Sequence, residues 1–101
     1  SINDPLIIKR KYFVGFNWAM WTSGKKKGQV KVTHVKNGSP AEKYLNIGDQ
    51  ILEIDDIELI SLNKEDRVNF LNSPNTDQPL KLKIKRGKEI LEINIETQMR
   101  Y

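Results

Sequence analysis

Asp55 and Asp56 stand side by side in the chain, and two carboxylates that share one proton can divide the roles of acid and base between them. Adjacent residues of an extended strand point to opposite faces, however, so only an unusual turn would bring this pair together. His34 is the only histidine. A histidine base needs a hydroxyl or thiol to deprotonate and a carboxylate to orient it. No Ser, Cys or Asp motif surrounds His34, which reads as a core-edge or surface residue. With one histidine, no cysteine and no carboxylates at ligand spacing, no metal site is expected. Neither a Gly-x-Ser-x-Gly elbow nor a Gly-x-x-x-x-Gly-Lys phosphate loop occurs. The chain is expected to be non-catalytic, with no catalytic residues and no cofactor.

Stacking and phosphate contact are a further chemistry to weigh. Tyr12, Phe13, Trp18 and Trp21 with Lys25, Lys26 and Lys27 have the makings of a small basic β-barrel that binds single-stranded nucleic acid. That reading needs exposed rings. Phe16, Trp18 and Met20 alternate as a buried strand face should, which favours core packing over stacking. Trp21 falls on the opposite face and, if exposed, would suit docking to a neighbouring domain.

Composition sets outer bounds. The 101 residues fit one domain, 1–101, and 38% hydrophobic with 30% charged residues is ordinary globular composition. Lys and Arg number 17 against 13 Asp and Glu, a net charge of +4 that mildly favours acidic partners. Most lysines are spread over strand faces and loops, where they solvate the surface. No apolar run is long enough to cross a bilayer, and the lack of cysteine leaves the redox compartment open. The start, "SINDPLIIKRK", carries neither Met nor a signal-peptide pattern, so the chain is expected to be a segment of a longer protein.

The elements that must position any site follow from periodicity. "LIIKRKYFVGFNWAMW" reads as two strands meeting at Gly15, and "TSGKKKG" as a loop. "QVKVTHV" alternates, which predicts Val30, Val32 and His34 on one face and Lys31, Thr33 and Val35 on the other. Ser39-Pro40-Ala41-Glu42 supplies a capping hydroxyl, a proline at the first helical position and a carboxylate at the third, the start of a short helix. "QILEIDDIEL" is a strand broken by a turn at Asp55-Asp56, whose side chains are expected to bond their own backbone. Asn63 and Asp66 cap a longer helix in which Val68 and Leu71 share a face, closed by Ser73-Pro74. "LKLKIKRGKEILEINIE" is a hairpin turning at Gly87-Lys88. The expected class is α+β, mainly β: a small barrel or sandwich of five to six strands capped by one short and one longer helix.

The stretch "VTHVKNGSPAEKYLNIGDQILEIDDIEL" resembles the part of PDZ domains that runs through Gly-Ser-Pro-Ala and Gly-Asp into an Ile-Asn-Gly turn. "YFVGF" resembles that family's carboxylate-binding loop, and "SLNKEDRVNFL" its second helix. The resemblance implies a module that takes a peptide C-terminus as an added strand between the second strand and second helix. The N–H groups of Val14, Gly15 and Phe16 would receive the carboxylate, with Lys9 assisting through water and Arg10 a less favoured substitute. Val14, Phe16, Trp18, Val68 and Leu71 would line the pocket for the last side chain. Lys64, first in the second helix, would favour an acidic or polar residue upstream in the ligand. The sequence departs from the family where Asp56 replaces the turn glycine, where Tyr44-Leu45 leaves the short helix one residue shorter, and where Phe13 bulks the loop.

The chain is also similar to PDZ domains attached to bacterial proteases, the aspartyl-protease-like envelope proteins among them. That similarity implies a substrate-recognition or regulatory role beside a protease domain, in the periplasm or cell envelope. The expected partner is a peptide or protein C-terminus or the neighbouring protease domain. Neither nucleic acid nor a membrane span is expected, and the isolated domain should be monomeric. The alternative is an interdomain PDZ whose groove is occluded.

Overall fold

The computed structural model describes residues 12–13, 15–71, 79–96 and 98–99. The described residues form eight strands: β1 (Tyr12–Phe13), β2 (Phe16–Met20), β3 (Val30–Val35), β4 (Gln50–Ile54), β5 (Ile57–Glu58), β6 (Leu80–Arg86), β7 (Glu89–Ile95) and β8 (Gln98–Met99). An antiparallel sheet of six runs β2-β3-β4-β6-β7, with β5 folded back onto β4, while β1 and β8 form a separate pair. The expected mainly-β architecture holds. Among the described residues the sheet stays open, with β2 and β7 at its edges, and is not a closed barrel.

Among the described residues one α-helix, α1 (Lys64–Leu71), is present and adds Leu71 to the core. The Asn63 side chain accepts the Asp66 N–H at 2.8 Å, the predicted cap. The expected closing Ser73-Pro74 lies outside the described residues. The short helix after Ser39 is a 3-10 turn, Pro40–Lys43, and its capping differs from expectation. Ser39 makes no cap; its hydroxyl donates backward to Lys36 O at 2.7 Å, with Gly15 O farther at 3.4 Å. Glu42 accepts the Gly38 N–H at 2.9 Å, so the carboxylate ties down the turn ahead of the helix. A second 3-10 turn, Leu59–Ser61, joins β5 to α1 and was not foreseen from the sequence.

Alternation along β3 breaks where β2 and β3 shift register between Asn17 and Trp18. Asn17 opposes His34, whereas Trp18 opposes Val32, leaving Thr33 as the extra residue of a bulge. One extra residue exchanges the faces beyond it. His34 is therefore exposed and Val35 packs inward, the reverse of strict alternation. Alternation does hold in the β6–β7 hairpin, where Leu82 opposes Ile93 and Ile84 opposes Leu91 toward the core. Val30, Val32, Ile51, Ile54, Leu82 and Ile84 form the centre of that core, each at most 4% exposed. Burial of each such side chain contributes about 1.5–3 kcal/mol.

At the Asp55-Asp56 turn both residues take left-handed conformations, φ 51 and 68. Two such residues in a row match the tight turn whose twist suits a hairpin. The side chains do not serve their own backbone as expected. Asp55 accepts the Lys81 N–H at 3.1 Å and Asp56 pairs with the Lys81 ammonium at 2.9 Å, which pins the turn to β6.

Candidate functional site

Among the described residues β2 pairs with β3 alone, so its other edge carries main-chain donors and acceptors without a strand partner. The chain enters that edge through Gly15, which is buried at φ 97. Few residues other than glycine adopt this angle. Gly15 O accepts the Lys36 N–H at 2.9 Å, so the turn before β2 is anchored to the end of β3.

Phe16, Trp18 and Met20 point inward from β2, half-buried, and pack against the cluster that includes Leu71 of α1. Leu71 is 7% exposed, and Val68, one turn earlier, is half-buried. Lys64 is exposed at the first position of α1. Phe16, Trp18 and Leu71 thus meet in one apolar cluster, while Lys64 stands apart as the charged group at the helix start. Lys9, Arg10 and Val14 lie outside the described residues.

Arg67 is the residue that sequence reasoning missed. Its side chain is buried, 7% exposed, and bridges both walls of the site. Nε donates to Leu59 O at 2.8 Å, Nη2 to Leu62 O at 2.6 Å, and Nη1 contacts Met20 Sδ at 3.2 Å on β2. The available signal was position: Arg67 lies four residues before Leu71 and so on the inward face of α1. Close to it, Gly28 at φ 89 leaves no room for a side chain, since an added Cβ would sit 2.8 Å from Ile60 Cδ1 and 3.1 Å from Arg67 Nη1.

A cavity of about 390 Å³ opens between the loop after β2, strand β4 and the segment 58–60 at the end of β5. Lys25 and Lys27 line one part of it and Glu53 and Glu58 another, over a floor of Ile51 and Leu59. Asp55 and Asp56 face Lys81 and not each other's carboxylate, so they form no proton-sharing dyad. No helix among the described residues is long and apolar enough to cross a membrane.

An open strand edge, a glycine turn at its start and a helix alongside are what the comparisons with known proteins can be set against. Among curated proteins no relative matches. The chain is similar to the crystal structure of the HtrA3 PDZ domain bound to a phage-derived ligand, FGRWV, at 22% identity and TM-score 0.70, over 89% of this chain and 88% of that one. It is also similar to a PDZ domain protein from Parabacteroides distasonis, at 16% identity and TM-score 0.74, over 88% of this chain but only 20% of that one. A third similar structure is the HtrA-type protease AlgW with a decapeptide, at 18% identity and TM-score 0.70, over 96% of this chain and 32% of that one. The chain therefore spans about a fifth and a third of the latter two proteins. The family model for the PDZ domain matches residues 5–85, and the chain belongs to the PDZ domain family.

Proposed function

We propose that this PDZ domain binds the C-terminal end of a peptide as an added strand along β2, within a protein whose catalytic part is a bacterial envelope protease. The unpartnered edge of β2 carries the reading, because strand addition takes its affinity from main-chain hydrogen bonds that such an edge leaves available. Two of the similar structures hold peptides, and the ligand FGRWV ends in an apolar residue.

In this reading the carboxylate is received by the N–H groups of Val14, Gly15 and Phe16, with Lys9 nearby. The last side chain rests among Val14, Phe16, Trp18, Val68 and Leu71. The domain itself recognises or regulates and does not catalyse. Lys64, being exposed, is expected to add only a modest preference for an acidic ligand residue, about two- to fivefold, as exposed ion pairs do.

The test is an amide NMR titration with peptides ending in valine, each offered with a free and an amidated C-terminus. Expected are shifts at Gly15, Phe16 and along Val68 to Leu71 that vanish on amidation. Shifts with neither form would overturn the reading and point to an occluded groove. Equal affinity for acidic and neutral ligands would remove Lys64 from it.

A further inference from the structure

The charge of this chain is divided unevenly. Residues 5–41 hold eight of its 17 Lys and Arg and none of its 13 Asp and Glu, so the remainder is net acidic. The β2–β3 hairpin falls wholly in the acid-free part, and its outer face presents Trp21.

The backbone of Trp21 closes the hairpin loop on both sides: its N–H donates to Gln29 O at 2.9 Å, and its carbonyl accepts the Gly28 N–H at 2.8 Å. The backbone is thus held in place, and the side chain is 43% exposed. Lys26 Nζ lies 5.4 Å and Lys31 Nζ 5.9 Å from the ring centroid, within cation–π range. Lys25 and Lys27 flank them on a loop exposed from Thr22 to Lys27. Among the described residues none of these four lysines forms a salt bridge.

We propose that this outer face is a docking surface for an anionic lipid bilayer. A cluster of four or more lysines is drawn to acidic headgroups, and a tryptophan favours the headgroup level, where an apolar body and a polar N–H are both satisfied. The groups this face presents select among anionic partners. An acidic peptide needs a free main-chain edge or a pocket of matching charge; the face of a paired strand presents no such edge, and the cavity beside Lys25 and Lys27 is lined as well by Glu53 and Glu58. A nucleic acid base needs an open ring to stack on, and here two ammonium groups already lie over it. An anionic bilayer needs neither an edge, a pocket nor an open ring, only exposed lysines and an amphipathic side chain at headgroup level.

The test compares binding of the whole chain to vesicles of phosphatidylcholine alone and to an equal mixture with phosphatidylglycerol, by co-sedimentation and by tryptophan emission. Binding is expected only to the mixed vesicles, weakened by added salt and lowered about fivefold for each lysine lost in the Lys26→Gln and Lys31→Gln variants. A blue shift in emission should accompany it and disappear in Trp21→Ala. All three side chains are exposed, so unchanged thermal midpoints would show that the variants fold. No binding, equal binding to both vesicles, or indifference to the lysine changes would overturn the proposal. So would tighter binding of a single-stranded oligonucleotide that Trp21→Ala abolishes, which would give the face to nucleic acid.

Discussion

Arg86 grips the buried carboxylate of Asp49 with two hydrogen bonds, Nε to Oδ1 at 2.9 Å and Nη2 to Oδ2 at 2.8 Å. Asp49 is 2% exposed and also accepts the Asn46 N–H at 2.8 Å, while Arg86 reaches Tyr44 O at 2.9 Å. The bond to Asp49 raises the guanidinium above its already high pKa, so Arg86 stays charged. The Gly-Asp pair that the sequence displays is thus a structural fastening between the loop after Lys43 and the end of β6.

The two halves of that fastening should differ in cost when removed. Arg86→Met leaves a buried carboxylate with one backbone donor and is expected to destabilise by about 3 kcal/mol. Asp49→Ala should cost less, about 2 kcal/mol, because the Arg86 side chain is 34% exposed and can turn to water. Urea unfolding midpoints at constant slope measure both, and the reverse order would refute this account.

Arg67 invites a different comparison. Leu59 O keeps a second donor, the Leu62 N–H, when the guanidinium is removed. Arg67→Met fills similar space and relieves the desolvated charge, so its expected cost is about 1 kcal/mol. Arg67→Ala leaves a cavity and should cost about 3 kcal/mol. Equal losses in denaturant unfolding would mean that hydrogen bonds, and not volume, hold α1 to β2.

The turn at Asp55-Asp56 stores backbone strain that a glycine would release. Asp56→Gly is expected to stabilise the domain by about 0.5–1 kcal/mol, read as a higher thermal midpoint, since a left-handed residue with a side chain costs about 1 kcal/mol. The lost ion pair with Lys81 joins two exposed groups, so it offsets little.

Hydrogen bonding and attraction to Asp56 raise the Lys81 pKa above 10.5. The stability this pair contributes is complete below 10.5 and lost as pH rises through the higher folded value. Thermal midpoints followed from neutral pH into the alkaline range should fall for the native chain by this contribution, and Lys81→Met should lack it.

Gly24 and Gly28 both have left-handed backbones, φ 81 and 89, yet only Gly28 is crowded. Gly24→Ala is expected to cost about 1 kcal/mol from conformation alone. Gly28→Ala should cost about 2 kcal/mol, because the added carbon presses on Arg67, which is held by three contacts. Ile60 Cδ1 is the end of an exposed side chain and can swing away. Equal unfolding free energies for the two variants would dismiss the crowding.

Elements with a strong local signal were legible in the sequence: the Asn63 cap, the Gly87-Lys88 turn, the alternation of β6 and the inward stripe of Phe16, Trp18 and Met20. What escaped depends on contacts between distant segments. The bulge at Thr33 is set by pairing with β2, and nothing in "VTHV" alone announces it. The carboxylates of Asp55 and Asp56 choose partners supplied by Lys81, some 25 residues away, over their own backbone. Arg67 could not be recognised as buried until its carbonyl acceptors on the 3-10 turn were in place. For the candidate site, the apolar residues of β2 and α1 were legible as packing partners, but nothing local marked Arg67, which reaches Met20 across them.

The open edge of β2 is also a hazard. Main-chain groups without a strand partner can pair with a second copy of the same strand, and although β2 is only five residues long its half-buried aromatics favour such self-association. The strand itself carries no charge to prevent this, since its sequence is FNWAM. Protection falls to the flanks: two copies meeting edge to edge would bring together hairpins that contain lysines and no acid, and those repel across about 8 Å at physiological salt. Repulsion between these hairpins thus opposes edge-to-edge pairing without blocking the main-chain groups of β2.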